Sequence, residues 1–195
     1  CSAIYSYTLP NGEKSKCIET LNQVYDFMLS KHLDRSDLII GLGGGVVGDI
    51  AGYAAATFLR GLAFIQIPTT LLAQIDSSVG GKVAVNYQGY KNIIGAFYQP
   101  LLVYINTSVL KTLPEREYRC GFAEAVVHAL IADASLLNFI HENINDKNRL
   151  NEQKVEEFIY RNCKIKVDTV LQDEKDRGIR KILNFGHTIG HAIEG

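Results

Sequence analysis

The feature that most constrains the fold is a short apolar run that leads directly into a cluster of glycines. Asp37–Leu42 is typical of a short buried strand, and residues 43–48 read Gly-Gly-Gly-Val-Val-Gly, which matches the pattern G-x-G-x-x-G. An alanine- and glycine-rich helical stretch follows at 46–59, and residues 63–67 have the composition of another strand. Strand, turn, helix and strand in this order form a βαβ unit, which predicts a parallel sheet.

The glycine cluster is also a candidate site for a phosphate group. Backbone amides at the start of a helix attract a pyrophosphate, and glycines let it approach the backbone closely. In dinucleotide-binding units an acidic residue usually follows about 20 positions later, at the end of the second strand. Residues 65–68 read Ile-Gln-Ile-Pro at that place. Two interpretations stay open, a phosphate-binding turn and a purely structural one.

The remaining patterns divide the chain into two parts. Before residue 112, residues 13–31 have helical spacing, residues 101–105 indicate a strand, and residues 68–100 indicate a loop-rich segment. After residue 112 no convincing strand remains, and three stretches have helical spacing: 116–143, 153–171 and 179–194. We therefore predict an α/β domain with a Rossmann-like parallel sheet over residues 1–112, followed by an all-α domain over residues 113–195.

Composition argues against several classes of protein. The 195 residues are 47% hydrophobic and 21% charged with a net charge of -1, so the basic excess typical of nucleic-acid binding is missing. No apolar run approaches the roughly 20 residues of a membrane-spanning helix. The four cysteines lie far apart without a CxxC pair, which indicates reduced thiols rather than a disulfide framework. We expect a cytoplasmic globular protein that binds neither nucleic acid nor membrane.

A polar, glycine-rich segment is a second candidate site. Residues 68–82 read PTTLLAQIDSSVGGK, and Lys91 and Asn92 follow shortly afterwards. The segment offers two hydroxyls, a carboxylate and an ammonium beside a Gly-Gly pair: Thr69, Thr70, Asp76 and Lys82. A surface loop explains the polarity, but it does not explain why donors of several kinds gather beside glycines. We therefore favour a binding segment.

Two patterns in the helical part contain residue types that bind metals and anions. Glu124 lies in an otherwise apolar stretch, where a carboxylate needs a cation or a metal as its partner. His128, one turn later, is either that partner or a core histidine, and the core interpretation is favoured. A polar stripe on the last predicted helix has intervals of three or four residues: Arg180, Asn184, His187 and His191. Such a stripe suits an anion held beside a metal, with a solvated face as the alternative.

Together these patterns resemble the 3-dehydroquinate synthase family. The shared runs include GGGVVGD, PTTLLAQIDSSVGGK, KNIIGAFYQP, GFAE and LNFGHTIGHAIE, and the likeness extends over essentially the whole chain. It implies the middle of a longer NAD- and metal-dependent enzyme of the shikimate pathway. That enzyme converts 3-deoxy-D-arabino-heptulosonate 7-phosphate to 3-dehydroquinate and phosphate. In the implied reaction NAD takes a hydride from a ring carbon that bears a hydroxyl and later returns it, so that no NADH accumulates.

The resemblance also implies roles for individual residues. The NAD site is expected to be lined by Asn11, Glu13, Lys16, Gly45, Gly48, Asp49, Thr69, Thr70, Lys82, Lys91, Leu110, Lys111 and Thr112. Two of the three ligands to zinc or cobalt are expected to be Glu124 and His187, with a later histidine as the third. The catalytic and substrate-binding residues are expected to be Asp76, Lys82, Asn92, Lys166, Arg180, Asn184 and His191. A homodimer is implied, with Arg60 near its interface.

One position departs from the family pattern. A lysine that contacts substrate in the family is replaced here by Val127. Losing a charge-assisted contact to an anion costs roughly 2–3 kcal/mol.

Two alternatives to an active synthase stay open. One is a related sugar-phosphate cyclase, or a metal-dependent polyol or alcohol dehydrogenase with the same fold, and the other is an inactive fragment that only binds nucleotide.

Overall fold

The computed structural model describes residues 3–145 and 149–186, and the chain divides into two compact units. The first unit contains Cys1–Pro68 and Gly81–Ile105, and the second contains Thr69–Gly80 and Asn106–Gly195. The helices and strands in chain order are α1 (Ile18–Ser30), β1 (Leu38–Gly43), α2 (Gly45–Thr57), β2 (Ala63–Pro68), β3 (Lys82–Tyr87), β4 (Tyr90–Phe97), β5 (Leu102–Val103), α3 (Glu115–Ala132), α4 (Ser135–Asn143) and α5 (Val155–Gln172). The domain division at residue 112 remains a prediction.

The first unit contains the predicted βαβ arrangement. β1, β2 and β5 form a parallel sheet in the order β1-β2-β5, with Leu38 opposite Ala63 and Ile65 opposite Leu102. α2 connects β1 to β2. Beside this sheet, β3 and β4 form an antiparallel pair. The prediction of an α/β part with a parallel sheet, followed by helices, is therefore confirmed.

Close packing of α2 explains part of its glycine content. A Cβ atom added to Gly52 would lie 2.4 Å from Cγ1 of Val83 and 3.1 Å from the ring of Phe64, so a larger residue would collide with both neighbours. The main apolar core of the unit lies beside this helix and consists of Leu21, Met28, Ile50, Ala54, Phe58, Leu62 and Val85. Small residues thus bring α2 close enough for the core to form.

Two predictions for the first unit are wrong. The run that forms β1 is not buried on both sides: Ile40 and Leu42 are 54% and 62% exposed, because alternate side chains of a strand point to opposite faces of the sheet. Residues 68–100 are not mainly loop, because they contain β3 and β4. Gln88 and Gly89 join these strands with φ values of 48° and 82°, which is the backbone of a type I′ hairpin turn.

The second unit is built from α3, α4 and α5 together with residues 69–80. Its buried apolar side chains include Leu71, Tyr118, Ala125, Ala129, Leu136, Phe139, Phe158 and Ile159. Segment 69–80 lies directly on α3, since a Cβ atom added to Gly121 would be 2.5 Å from Cγ of Leu71. Among the described residues, no helix combines the length and the hydropathy that crossing a membrane requires.

Two predicted helices differ from the observed elements. The stretch 116–143 is interrupted at Asp133, whose φ and ψ are -148° and 79°, and its carboxylate accepts hydrogen bonds from Ser135 Oγ (2.6 Å) and Arg161 Nε (3.1 Å). The stretch 179–194 is not one continuous helix. Ile179–Asn184 form a 3-10 turn, and the backbone leaves helical geometry at Phe185 (ψ 125°) and Gly186 (φ 81°). The predicted polar stripe along one helix is therefore wrong.

Candidate active site

The candidate site of the second unit begins at a π-helical turn that carries Asp76. This turn spans Ala73–Ser77, and Thr70 Oγ1 accepts a hydrogen bond from the backbone amide of Ala73 (3.2 Å) immediately before it. π-Helical turns are rare and occur frequently at functional sites. The turn leaves the Asp76 side chain 23% exposed while most of the surrounding segment is buried. The carboxylate therefore remains partly accessible.

Lys166, on α5, forms an ion pair with Asp76. Its Nζ contacts Oδ1 of Asp76, and its side chain is only 8% exposed. A lysine that is buried this deeply needs a negative partner, because desolvation of an unpaired ammonium is costly. The structure thus brings together two predicted substrate-binding residues that lie 90 positions apart.

Glu124 and His128 complete a cluster around Asp76. Both lie on α3, four residues apart and therefore on the same face of the helix. Nε2 of His128 lies 3.7 Å from Oε1 of Glu124 and 3.8 Å from Oδ1 of Asp76. One ligand atom from each of the three residues can be chosen such that all lie within 4.8 Å of one another. Carboxylate oxygen and imidazole nitrogen are ligands that zinc accepts, so the donor set fits a divalent metal.

The protonation of His128 follows from its other neighbour. Nδ2 of Asn162 donates a hydrogen bond to the carbonyl of Phe158 (2.8 Å), so its Oδ1 is the atom that faces Nδ1 of His128 at 3.0 Å. Nδ1 must therefore carry the hydrogen. Burial lowers the pKa of His128, although the charge of Asp76 opposes this effect. The neutral imidazole consequently has a lone pair on Nε2, directed toward the carboxylates.

Arg180 is also buried in the second unit, with 2% of its surface exposed. Its guanidinium donates hydrogen bonds to the carbonyls of Glu174 (2.6 Å) and Gly80 (3.0 Å). Burial lowers the pKa of this guanidinium, while several carboxylates, Asp76 among them, favour its charged form. The structure therefore holds a cation in a defined orientation. Asn184, predicted to work beside it, is exposed.

The glycine cluster of the first unit lies at the start of α2. Gly44 precedes the helix and, as a glycine, has no side chain that could cap the amides of the first turn. Gln66 occupies the neighbouring strand and is 5% exposed, and a Cβ atom added to Gly48 would lie 2.9 Å from its Oε1. Nearby, Lys16 forms an ion pair with Asp49. Uncapped amides behind glycines fit a phosphate group.

The other predicted site residues are distributed as follows. The first unit contains Asn11, Glu13, Lys82, Lys91 and Asn92, all exposed. The second unit contains Thr69 and Thr70, which are partly buried, Leu110, which is buried, and Lys111 and Thr112, which are exposed. His187 and His191 lie outside the described residues. These assignments remain predictions.

Sequence reasoning named His128 as a possible partner of Glu124 and favoured a core histidine. The side chain is indeed completely buried, yet its Nε2 faces two carboxylates. The four-residue spacing from Glu124 was the available signal. Asn162 was missed altogether, since no local pattern links it to a residue 34 positions away.

Comparison with protein families gives matches along nearly the whole chain. Residues 6–120 match the family described as 3-dehydroquinate synthase N-terminal, and residues 121–195 match 3-dehydroquinate synthase C-terminal. A 3-dehydroquinate synthase from Acetivibrio thermocellus is 55% identical over 191 residues, which cover 98% of this chain and 53% of the relative. The chain therefore spans about half the length of the curated relatives that it matches.

Two solved synthase structures have a fold similar to that of this chain. A 2-deoxy-scyllo-inosose synthase complexed with carbaglucose-6-phosphate, NAD+ and Co2+ has a TM-score of 0.87 and 34% identity, covering 94% of this chain and 50% of the other. A 2-epi-5-epi-valiolone synthase from Streptomyces hygroscopicus subsp. jinggangensis 5008, with NAD+ and Zn2+ bound, has a TM-score of 0.85 and 30% identity, covering 94% and 52%.

Proposed function

The chain belongs to the 3-dehydroquinate synthase family, and we propose that the complete gene product containing it is a 3-dehydroquinate synthase. The proposed reaction converts 3-deoxy-D-arabino-heptulosonate 7-phosphate to 3-dehydroquinate with loss of phosphate. The observation that carries this proposal is the cluster of Asp76, Glu124, His128 and Lys166 in a chain that is 55% identical to a synthase over 98% of its length.

Two cofactors belong to the proposal, NAD and a divalent metal such as zinc or cobalt. NAD supplies a reversible hydride acceptor, and the metal polarises a substrate oxygen as a Lewis acid. The uncapped start of α2 would hold the NAD pyrophosphate, and Glu124 would be a metal ligand. The presence of NAD+ with Co2+ or Zn2+ in the two similar structures supports this choice.

The chain's own residues supply charges and hydrogen bonds for an anionic, hydroxyl-rich substrate. Lys166 and Arg180 are cations held in fixed orientations by Asp76 and by backbone carbonyls, respectively. Such preoriented charges bind carboxylate and phosphonate-like groups without a large entropic cost. Asp76, partly exposed beside Lys166, is suited to accept a hydrogen bond from a substrate hydroxyl.

A second candidate is a related sugar-phosphate cyclase, since the two similar solved structures are a 2-deoxy-scyllo-inosose synthase and a 2-epi-5-epi-valiolone synthase. Their identities of 34% and 30% are lower than the 55% shared with the dehydroquinate synthase, so we place the synthase first. Product analysis separates the candidates, because each cyclase forms a different carbocycle.

A homodimer in the cytoplasm completes the proposal, with Arg60 near the interface. Arg60 is exposed in the chain and its backbone has a φ of 69°, so the side chain is available at a sharp turn. Sedimentation of the complete gene product at several concentrations tests the dimer. A charge reversal at Arg60 should weaken it, and a monomeric wild type would contradict it.

The test of function uses the complete gene product with 3-deoxy-D-arabino-heptulosonate 7-phosphate, NAD and zinc. We expect phosphate release without net formation of NADH. Glu124→Gln should reduce the rate at least about 100-fold, while Glu117→Gln, an exposed position of the same helix, should leave it unchanged. Net NADH formation would indicate a dehydrogenase. Absence of phosphate release from folded, zinc-loaded protein would refute the proposal.

A further inference from the structure

The hairpin formed by β3 and β4 contains an irregularity at Asn86. Asn86 lies between two paired positions that are separated by one residue on β3 but by three residues, 91–93, on β4. Irregularities of this kind are frequent next to active sites, where they redirect side chains out of the regular ladder. Two of the three residues opposite Asn86 are Lys91 and Asn92, for which binding roles are predicted.

The backbone of Asn92 has a left-handed conformation, with a φ of 55°. Residues other than glycine keep this conformation only where their surroundings hold it, and asparagine tolerates it better than most. The backbone amide of Asn92 donates a hydrogen bond to Oδ1 of Asn86 at 2.8 Å. Asn86 therefore supplies an acceptor that holds Asn92 in this conformation.

The other groups of Asn86 bind the segment that precedes α1. Nδ2 of Asn86 donates a hydrogen bond to Oε1 of Glu13 at 2.8 Å, and its backbone amide donates to the carbonyl of Lys16 at 2.8 Å. Lys16 in turn forms an ion pair with Asp49 on α2. These three partners, Glu13, Lys16 and Asp49, are all predicted to line the NAD site. One residue thus connects the predicted NAD site to a predicted substrate-binding residue.

The chemistry of the two side-chain contacts requires an amide at position 86. A carboxylate such as that of Glu13 only accepts hydrogen bonds, whereas a backbone amide such as that of Asn92 only donates them. The side chain between them must therefore accept at one end and donate at the other. Asparagine does both, whereas an aspartate of the same shape would accept from Asn92 but would place a second carboxylate beside Glu13.

We propose that Asn86 is a positioning residue that holds the NAD-lining segment at Glu13 and the substrate-binding residue Asn92 in one arrangement. The inference rests on the proposed function, from which the roles of Glu13 and Asn92 are taken. Asn86 acts through these two residues rather than on the reacting atoms. Binding groups need such support, because their own orientation is only as exact as that of the residues that hold them.

The first test measures the NAD affinity of the complete gene product without substrate, by calorimetry. Asn86→Asp keeps the acceptor for Asn92 but loses the donor to Glu13, so NAD should bind about 10-fold more weakly. In a Glu13→Gln background the glutamine amide can donate to the new carboxylate, and the same change should alter the affinity less than about 2-fold. Equal effects in the two backgrounds would overturn the proposal. Asn22→Asp, at an exposed position of α1, is the matched control for the added charge.

The second test measures the contact with Asn92 through KM for the substrate at saturating NAD. Both variants are made in the Glu13→Gln background. Asn86→Asp retains the acceptor for Asn92 there and should leave KM within about 2-fold, whereas Asn86→Ala removes it and should raise KM about 10-fold. The same KM in both would overturn the role toward Asn92. If Asn86→Asp does not fold alone, Asn86→Ala in the wild-type background replaces it in the first test, and an unchanged NAD affinity would then overturn the role toward Glu13.

The NAD measurement does not depend on turnover. The expected pattern of NAD affinities, combined with no phosphate release by the wild type, would refute the proposed function but leave the role of Asn86 toward Glu13 intact. Phosphate release by the wild type, combined with equal effects of Asn86→Asp in the two backgrounds, would overturn the positioning role alone.

Discussion

The ion pair between Lys166 and Asp76 gives a prediction whose size follows from burial. Removing one partner of a fully buried pair costs about 3–5 kcal/mol, whereas an exposed pair contributes about 0.2–1 kcal/mol. The two side chains are 8% and 23% exposed, which places this pair between those limits. We expect Lys166→Met to lower the free energy of unfolding by about 2–3 kcal/mol, because Asp76 then loses its ammonium partner in a largely desolvated position.

The double variant Asp76→Asn with Lys166→Met separates the charge pair from the packing of the two side chains. It contains neither charge, so it should be no less stable than either single variant, and the coupling energy of the cycle should be at least about 2–3 kcal/mol. Lys164→Met is the matched control on the same helix. Lys164 pairs with Asp168, and both side chains are more than half exposed, so its loss should cost less than about 1 kcal/mol.

Urea unfolding followed by far-UV circular dichroism measures these differences. A chelator must be present throughout, since a metal bound to the folded state would raise the stability of every variant by mass action. A cycle in which the two single changes add within about 0.5 kcal/mol would refute the reasoning, because it would mean that neither charge depends on the other.

Three further outcomes are expected. Burial raises the pKa of Cys163 to about 11 from an ordinary 9.0, which lowers its thiolate fraction near pH 8 by about 100-fold. After iodoacetamide treatment, mass spectrometry should therefore find the exposed Cys120 alkylated in the folded protein, but Cys163 alkylated only in urea. Hydrogen bonds from Ser135 and Arg161 lower the pKa of Asp133, so its stabilisation is present above the unfolded pKa and is lost as pH falls through the lower folded value. Unfolding curves of Asp133→Asn should therefore differ from wild type by at most about 1 kcal/mol at neutral pH and converge with it in acid. Val127→Lys in the complete gene product should lower KM for the anionic substrate about 10- to 100-fold, whereas an unchanged KM would show that another cation already supplies the contact.

Elements of the fold with a strong local signal were predicted correctly. The βαβ unit follows from the glycine turn between two β-rich runs, and α5 follows from its helical spacing. The β3–β4 hairpin was missed because polar and glycine residues outweighed the alternation of Val83 and Val85. Those valines are buried, and the Gln88-Gly89 turn between the strands is the hairpin signal. The polar, glycine-rich composition suggested a loop here because the period-2 alternation that marks a strand extends over only a few residues.

The break between α3 and α4 and the end of the turn at Ile179–Asn184 were missed for a different reason. Helical periodicity continues across Asp133, but the backbone leaves helical geometry there, and its carboxylate accepts hydrogen bonds from the side chains of Ser135 and Arg161. Near residue 186, a glycine with a φ of 81° redirects the chain although apolar spacing persists. Periodicity reports which faces are apolar, whereas termination depends on single residues and their partners.

For the candidate site, the residue types could be predicted from the sequence, but only some of the contacts between them could. The spacing of Glu124 and His128 brings them to one face of a helix, and this is all that local sequence can establish. The tautomer of His128 is set by Asn162, which lies on another helix. The orientation of Asn162 depends in turn on its hydrogen bond to the carbonyl of Phe158. The surroundings of His128 are therefore set by three different parts of the fold, because Nδ1 faces Asn162 on α5 while Nε2 faces Glu124 on its own helix and Asp76 on the π-helical turn.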